Sequence, residues 1–204
     1  MNYLECKKIT HSFANHTVIT DFSYVFESGR SYALVGQSGC GKSTLLNIIA
    51  RLLKPSSGTL YFNNTKLPKP FTQQSRTYLN HDLSYIFQNY ALIDNVSIYE
   101  NLKLVSNNKH AMVEALETVG LNTPLNQKIF TLSGGEQQRV AIARSLLKEF
   151  KILLADEPTG NLDEDNAKQI MAILNTIKNQ HKIIIIATHN QEIASLCDEI
   201  ISLP

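Results

Sequence analysis

The sequence predicts an α/β protein: a mainly parallel β-sheet covered by helices, an antiparallel β region at the N-terminus, and a helical segment inserted between two halves of the core. Three observations carry this prediction. KILLA (151–155) and KIIIIA (182–187) are aliphatic almost throughout, as strands buried on both faces are, and such strands belong to parallel sheets with helices on either side. Residues 2–10 and 17–26 are rich in β-branched and aromatic residues and precede the turn Glu27-Ser28-Gly29-Arg30, the pattern of strands joined by turns. Between 88 and 148 the aliphatic runs give way to helical periodicity in SIYENLKLV, HAMVEALETVG and GEQQRVAIARSLLKE.

The elements follow in order. Ser-Tyr-Ala-Leu-Val (31–35) is a short buried strand that runs into a glycine-rich loop. TLLNIIARLLK (44–54) is apolar almost all round, as a core helix is, and Lys54-Pro55-Ser56-Ser57-Gly58 ends it. TLYFNN (59–64) and DLSYIF (82–87) are strands. A helix over 164–179 puts Ala167, Ile170, Met171, Ile173, Leu174 and Ile177 on one broad face. A short helix and the strand EIISL close the chain. The expected organisation is one domain, with a core at 1–87 and 149–204 and a helical subdomain at 88–148.

The bulk numbers exclude several classes. With 19 basic and 18 acidic residues the net charge is +1, which carries no basic footprint for nucleic acid and no acidic tail. The three cysteines, Cys6, Cys40 and Cys197, are odd in number and far apart. They form neither a disulfide framework nor a metal-type pair, and a reducing compartment is the expectation. The N-terminus MNYLECKKITHSF lacks the apolar run of a signal peptide. The longest purely aliphatic stretch, Ile183 to Ala187, falls far short of the ~20 apolar residues a membrane helix needs. If the function involves a membrane, another polypeptide supplies the crossing.

Residues 36–44 read Gly36-Gln37-Ser38-Gly39-Cys40-Gly41-Lys42-Ser43-Thr44. They match G-x-x-x-x-G-K-[ST], between a buried strand and a helix, which is the context that motif requires. A triphosphate is small, polyanionic and strongly hydrated, so a protein must replace its water with many donors at close range. Glycines let backbone N–H groups converge on phosphate without interference from Cβ atoms. The following helix adds its positive end. Lys42 supplies a mobile charge for the terminal phosphates, and Ser43 can place a hydroxyl oxygen on Mg²⁺. Cys40 is a spacer in this reading.

A second station lies at KILLADEP, where Asp156 and Glu157 stand directly after a buried strand, at the end where ligands bind in such sheets. Asp156 is suited to hold Mg²⁺ through its waters, opposite Ser43. Glu157 is suited to polarise the water that attacks a γ-phosphate. The plainer alternative makes Asp156 a turn cap and Glu157 a solvated side chain. A third element is Leu132-Ser133-Gly134-Gly135-Glu136-Gln137-Gln138-Arg139. Ser133 with Glu136 three residues on is a capping box, and the helix it opens runs to about Glu149. The box accounts for Ser133 and Glu136 but not for the double glycine, which weakens a helix and permits something to approach closely.

LSGGEQQR resembles the signature motif of ABC ATPases, and the resemblance extends over essentially the whole chain. It implies a P-loop NTPase (RecA-like) core. Gln88, at the junction into the helical segment, resembles the Q-loop glutamine. Asp163 in GNLD resembles the D-loop aspartate, and His189 after IIIIAT resembles the switch histidine, whose ring can donate to a phosphate oxygen. Phe13 falls where the family has a Tyr or other aromatic stacked on adenine, and Phe keeps the stacking face while losing the hydroxyl. The resemblance implies ATP and Mg²⁺ as ligands, with Glu157, His189 and Gln88 in the catalytic set and Ser43, Gln88 and Asp156 around the metal.

It further implies a head-to-tail dimer. Each of two ATP molecules lies between the phosphate loop of one copy and Ser133-Gly134-Gly135 of the other. That arrangement uses both anion-binding helix starts of a chain that has one phosphate-loop lysine. Hydrolysis then loosens the sandwich, as release of a γ-phosphate loosens other switches. The segment FQNYALIDNVSIYENL (87–102) resembles the lipoprotein-release, macrolide-export and bacteriocin-export group. From this we expect a cytoplasmic subunit, peripheral on the inner face of the cell membrane, that powers an integral membrane permease exporting a peptide, bacteriocin or similar amphiphile. Residues from Tyr90 to Asn95 would meet the permease. The alternative is the ATPase of a non-transporting membrane complex, of the cell-division or cell-wall regulatory type. Because the chain stops soon after His189, no C-terminal regulatory domain is expected.

Overall fold

The structure, a computed structural model, describes residues 2–14, 16–160, 162–179 and 181–204. Two sheets organise it. The first is antiparallel, in the order β2-β1-β4-β5, from β1 (Tyr3–Phe13), β2 (His16–Glu27), β4 (Ser57–Phe62) and the two-residue β5 (Thr65–Lys66). The second has the order β6-β7-β8-β3-β9, from β3 (Arg30–Val35), β6 (Leu83–Ile86), β7 (Ile152–Asp156), β8 (Ile183–Ala187) and β9 (Glu199–Ser202). All its pairings are parallel.

Strand alternation explains why the central strands are aliphatic at every position. Ile152 and Leu154 of β7, with Ile183, Ile185 and Ala187 of β8, pack toward α1 (Lys42–Ile49) and the antiparallel sheet. The intervening Leu153, Ala155, Ile184 and Ile186 pack the other way, against α3 (Ile98–Lys103), α4 (Lys109–Thr118), α5 (Gly134–Leu146) and α6 (Glu164–Lys178). Each of these side chains is essentially fully buried, and a buried Ile or Leu contributes about 1.5–3 kcal/mol over an exposed one. A polar residue on either face would therefore break one of the two cores.

Three local differences from the sequence reading have physical causes. The helix expected over 44–54 ends at Ile49, with Ala50 as its C-cap, because Arg51 takes a left-handed φ of 59° and its Nε donates to the Pro68 carbonyl at 2.7 Å. The helix opened by Ser133 stops at Leu146, short of Glu149. A helix α2 (Gln73–His81) was not anticipated. Its sequence QQSRTYLNH buries only Ser75 and Tyr78, so it shows little apolar period. Its capping box pairs Thr72 with Ser75, outside the Ser/Thr-x-x-Glu/Gln pattern. The final helix α7 spans Gln191–Ser195.

Candidate active site

Parallel pairing brings the functional stations together. Leu34 of β3 and Asp156 of β7 both stand beside Ala187 of β8, and Ile86 of β6 stands beside Ala155 of β7. The four strands therefore end together. The loop 36–41 leaves β3, Gln88 follows β6, Asp156 and Glu157 end β7, and His189 follows β8. These carboxyl-terminal ends frame one cavity of about 430 Å³, lined by Ser38, Gly39, Gly41, Lys42, Ser43, Thr44, Gln88, Asp156, Glu157 and His189.

Inside the loop, the Lys42 ammonium donates to the carbonyls of Gly36 at 2.8 Å and Gln37 at 2.9 Å, and lies 3.7 Å from the Cys40 thiol. Gln37 and Cys40 thus shape the lysine's resting place. Lys42 opens α1 directly after Gly41, whose φ is 97°, so the helix start faces the cavity with free N–H groups.

Asp156 is buried, with 7% exposed. Burial pushes its carboxyl above the ordinary range, a hydrogen bond from the Ser43 hydroxyl opposes this, the neighbouring Glu157 adds to the rise, and Lys42 again opposes it. A hydroxyl and a carboxylate side by side are hard oxygen donors of the kind Mg²⁺ takes alongside phosphate and water. Among the described residues no cluster of three or more His, Cys, Asp or Glu could hold a metal ion.

Glu157 has a left-handed φ of 48°, a conformation that costs a non-glycine residue about 1–3 kcal/mol and persists only where its surroundings over-determine it. They do so from both ends. Its N–H donates to the Ala187 carbonyl at 2.9 Å. Its carboxylate accepts from the His189 N–H at 3.0 Å and the Thr188 hydroxyl at 3.2 Å, and lies 2.7 Å from His189 Nδ1. In the sequence, Thr188 carries no signal beyond a hydroxyl directly after an aliphatic strand. His189 is largely exposed, at 72%, whereas the Glu157 side chain is 13% exposed. Their pairing joins the ends of β7 and β8.

The remaining candidates lie outside the cavity walls. Phe13 is half exposed, at 51%, with its ring at nearly a right angle to the His11 ring, centroids 4.6 Å apart. Ser133, Gly134 and Glu136 open α5. The Ser133 N–H donates to the Glu136 carboxylate at 2.8 Å, and the Glu136 N–H to the Ser133 hydroxyl at 3.3 Å. Those bonds hold the Glu136 carboxyl below its ordinary range. The predicted capping box is thus formed, while Ser133 and Gly134 remain exposed and Gly135 half-buried. Asp163 caps α6, accepting from Asn166 N–H at 3.0 Å.

The family model described as ABC transporter matches residues 19–160, well over half of the chain. The chain belongs to the ABC transporter family. As an ABC ATPase it binds and hydrolyses ATP. It is 37% identical over 208 residues to the lipoprotein-releasing system ATP-binding protein LolD of Ehrlichia ruminantium (strain Gardel), covering 96% of this chain and 91% of that one. It is 36% identical over 198 residues to the ABC transporter ATP-binding protein MJ1508 of Methanocaldococcus jannaschii, covering 93% and 88%. The dimeric structure of MJ0796, a bacterial ABC transporter cassette, superposes with a TM-score of 0.90 at 30% identity, over 98% of this chain and 94% of that one. A dimeric post-hydrolysis state of MJ0796 bound to ADP and Pi gives a TM-score of 0.89 at 29% identity. The ABC fold, with its antiparallel N-terminal sheet and parallel core, is the one the sequence predicted.

Proposed function

We propose that this ABC ATPase works as a two-copy motor for a separate integral membrane protein, and that its cargo is a peptide, bacteriocin or similar amphiphile. One observation carries the two-copy reading. The cavity at the strand ends contains the phosphate loop, Asp156, Glu157, Gln88 and His189, but not the exposed Ser133–Gly135 helix start. A second copy can bring that second set of N–H donors to the open side of the cavity. The dimeric MJ0796 cassettes support this arrangement.

In this reading Lys42, Gln88 and His189 contact the γ-phosphate from one copy, and Ser133 and Gly135 from the other, with Asp163 at the joint and Phe13 under the adenine. Ser43, Asp156 and Gln88 would hold Mg²⁺, which when bound would neutralise phosphate charge. Glu157 takes the proton of the attacking water, and the Thr188 and His189 donors orient its carboxylate. The helical segment 88–148 is the moving part. A groove of about 280 Å³ beside it, lined by Tyr85, Phe87, Val105, Arg144 and Lys148 among others, suits a short cytoplasmic helix of the membrane partner. Arg144 holds the adjoining bend by donating to the Tyr90 and Ala91 carbonyls at 2.8 and 2.6 Å.

Among the described residues no helix is long and apolar enough to cross a membrane. The place of action is the inner face of the cell membrane, through that partner. Relatives named for a lipoprotein-releasing system support an amphiphilic cargo. Glu157→Gln should nearly abolish hydrolysis, spare ATP binding and accumulate an ATP-dependent dimer on size exclusion; loss of binding would remove Glu157 from the role of base. Purifying the tagged chain from membranes should bring down an integral membrane protein with an extracytoplasmic domain. Recovery of a cell-wall regulatory complex instead would overturn the export reading.

A further inference from the structure

One face of α5 is occupied by the chain segment behind Glu157. Gly135, Gln138 and Arg139 share that face at helical spacings of three and four residues. A Cβ on Gly135 would stand 3.0 Å from Leu162 Cδ2, so the helix start rests directly on that segment. The Arg139 guanidinium, 7% exposed, donates to the Val119 carbonyl and to Asn166 Oδ1. Asn166 in turn donates to Asp163, its side-chain amide reaching Oδ2 at 2.5 Å.

Gln138 is the most informative of the three. It is 2% exposed, and its amide nitrogen donates to the Pro158 carbonyl and reaches the Glu157 carbonyl at 3.5 Å. Its Oε1 is buried and has no partner. The amide orientation follows from the neighbours, since two carbonyl oxygens demand a donor. A side chain present only to fill space would be Leu or Met, which carry no buried polar atom to leave unpaired. The donor is therefore what the position requires, and it acts on the two carbonyls that follow the left-handed turn at Glu157.

We propose that Gln138 is a positioning residue for Glu157: it fixes the Glu157–Pro158 backbone so that engagement of the Ser133–Gly135 helix start by a second copy sets the same chain's own catalytic carboxylate. Ser133 and Gln138 are five residues apart, about 7.5 Å along the helix. A tilt of α5 on docking is thus delivered to Glu157 with no intervening loop. The inference rests on the reading of Glu157 as the base.

The test uses the full chain with Gln138→Met, which keeps volume and loses the donor, and Gln138→Leu, an apolar side chain that also lacks a donor. Single-turnover hydrolysis at saturating Mg-ATP is measured per mole of bound nucleotide, so that any misfolded fraction drops out. Hydrogen exchange over the 157–166 backbone is measured alongside, with Glu157→Gln as reference. The expected result is a rate at least about tenfold lower in both variants, in keeping with the sensitivity of catalysis to sub-ångström misplacement. ATP affinity should stay within about twofold and exchange over 157–166 should quicken. Rates within twofold of the parent, or losses that vanish on normalisation to bound nucleotide, overturn the proposal. If Glu157→Gln itself hydrolyses normally, the base assignment fails instead, and the two failures are distinguishable.

Discussion

Replacing Gly41 by Ala separates two contributions to phosphate binding that the motif alone merges. Gly41 has φ 97°, and a Cβ there would lie 2.8 Å from the Val18 carbonyl oxygen and 3.0 Å from Ile19 Cγ1. Gly39, two residues earlier in the same loop, has φ 84° with no atom within 4 Å of a Cβ. Both substitutions incur the left-handed penalty of about 1–2 kcal/mol. Only Gly41→Ala must also push the loop off β2, whose backbone is paired to β1 and does not yield as a flexible side chain does. Overpacking of this kind adds about 1–3 kcal/mol. The sum is about 2–5 kcal/mol for Gly41→Ala against 1–2 for Gly39→Ala. At 1.4 kcal/mol per tenfold, Gly39→Ala should weaken Mg-ATP binding by roughly 5- to 30-fold and Gly41→Ala by roughly a further 5- to 140-fold. Isothermal titration gives the affinities, and thermal melting without nucleotide shows whether strain is released by unfolding. Equal losses in the two variants, or an unchanged affinity for Gly41→Ala, would refute the claim that β2 sets the loop's position.

Three other outcomes are expected. Asp156→Asn should abolish Mg-dependent hydrolysis yet raise the melting temperature of the nucleotide-free protein. The raised carboxyl opposes folding once ionised, a penalty absent below the unfolded pKa and complete above the folded one, and each kcal/mol recovered is worth about 2–4 °C; a lower melting temperature contradicts it. Asp198 accepts from the Ser31 N–H and hydroxyl at 2.7 and 2.8 Å and from Lys178 at 3.0 Å, and although burial works against it these bonds hold its carboxyl low. Its stabilisation should be present above the unfolded carboxylate pKa of about 3.9 and be lost as pH falls through the lower folded value. With 40% of the side chain exposed, Asp198→Asn should cost only about 1 kcal/mol at pH 7, read by urea melts at two pH values. Phe13→Ala should weaken ATP binding by about 1–3 kcal/mol, the worth of a base–aromatic stack, while Phe13→Tyr binds as the parent does; equal affinities for Ala and Phe would move adenine elsewhere.

What could be read in the sequence is what neighbours along the chain determine. The aliphatic runs of β7 and β8 are informative because a parallel strand presents both faces to a core, so every residue reports its environment. The phosphate loop, the Asp156-Glu157 pair and the Ser133 capping box are likewise local. By contrast, α2 hides because its helix is stabilised by a Thr72–Ser75 cap and one buried tyrosine. Thr188 and Gln138 hide because their meaning lies in partners 31 and 20 residues distant. A glutamine in QQR has no local feature that tells a buried backbone clamp from a surface amide.

The surroundings of Lys42 and Asp156 together favour Mg-ATP over either component alone. The Lys42 ammonium satisfies itself on the Gly36 and Gln37 carbonyls, bonds that a phosphate must displace, each worth roughly 1.5–3 kcal/mol as a hydrogen bond to a charged group. Such displacement would look costly if considered alone. Next to it, however, Asp156 sits desolvated beside a second carboxylate, a cost that an incoming divalent cation reverses. The two effects oppose each other and change together when Mg-ATP binds. A triphosphate without the cation displaces the lysine's bonds and adds negative charge beside Asp156. A cation without the triphosphate finds the Asp156 carboxylate, the Ser43 hydroxyl and the Gln88 amide oxygen, fewer oxygens than its octahedral shell takes. Only the pair satisfies both groups, so affinity for Mg-ATP should exceed what separate affinities for ATP and Mg²⁺ would predict. In the proposed assignment, that selectivity for the loaded nucleotide would come from Lys42, Ser43 and Asp156 of a single chain, independent of a second copy.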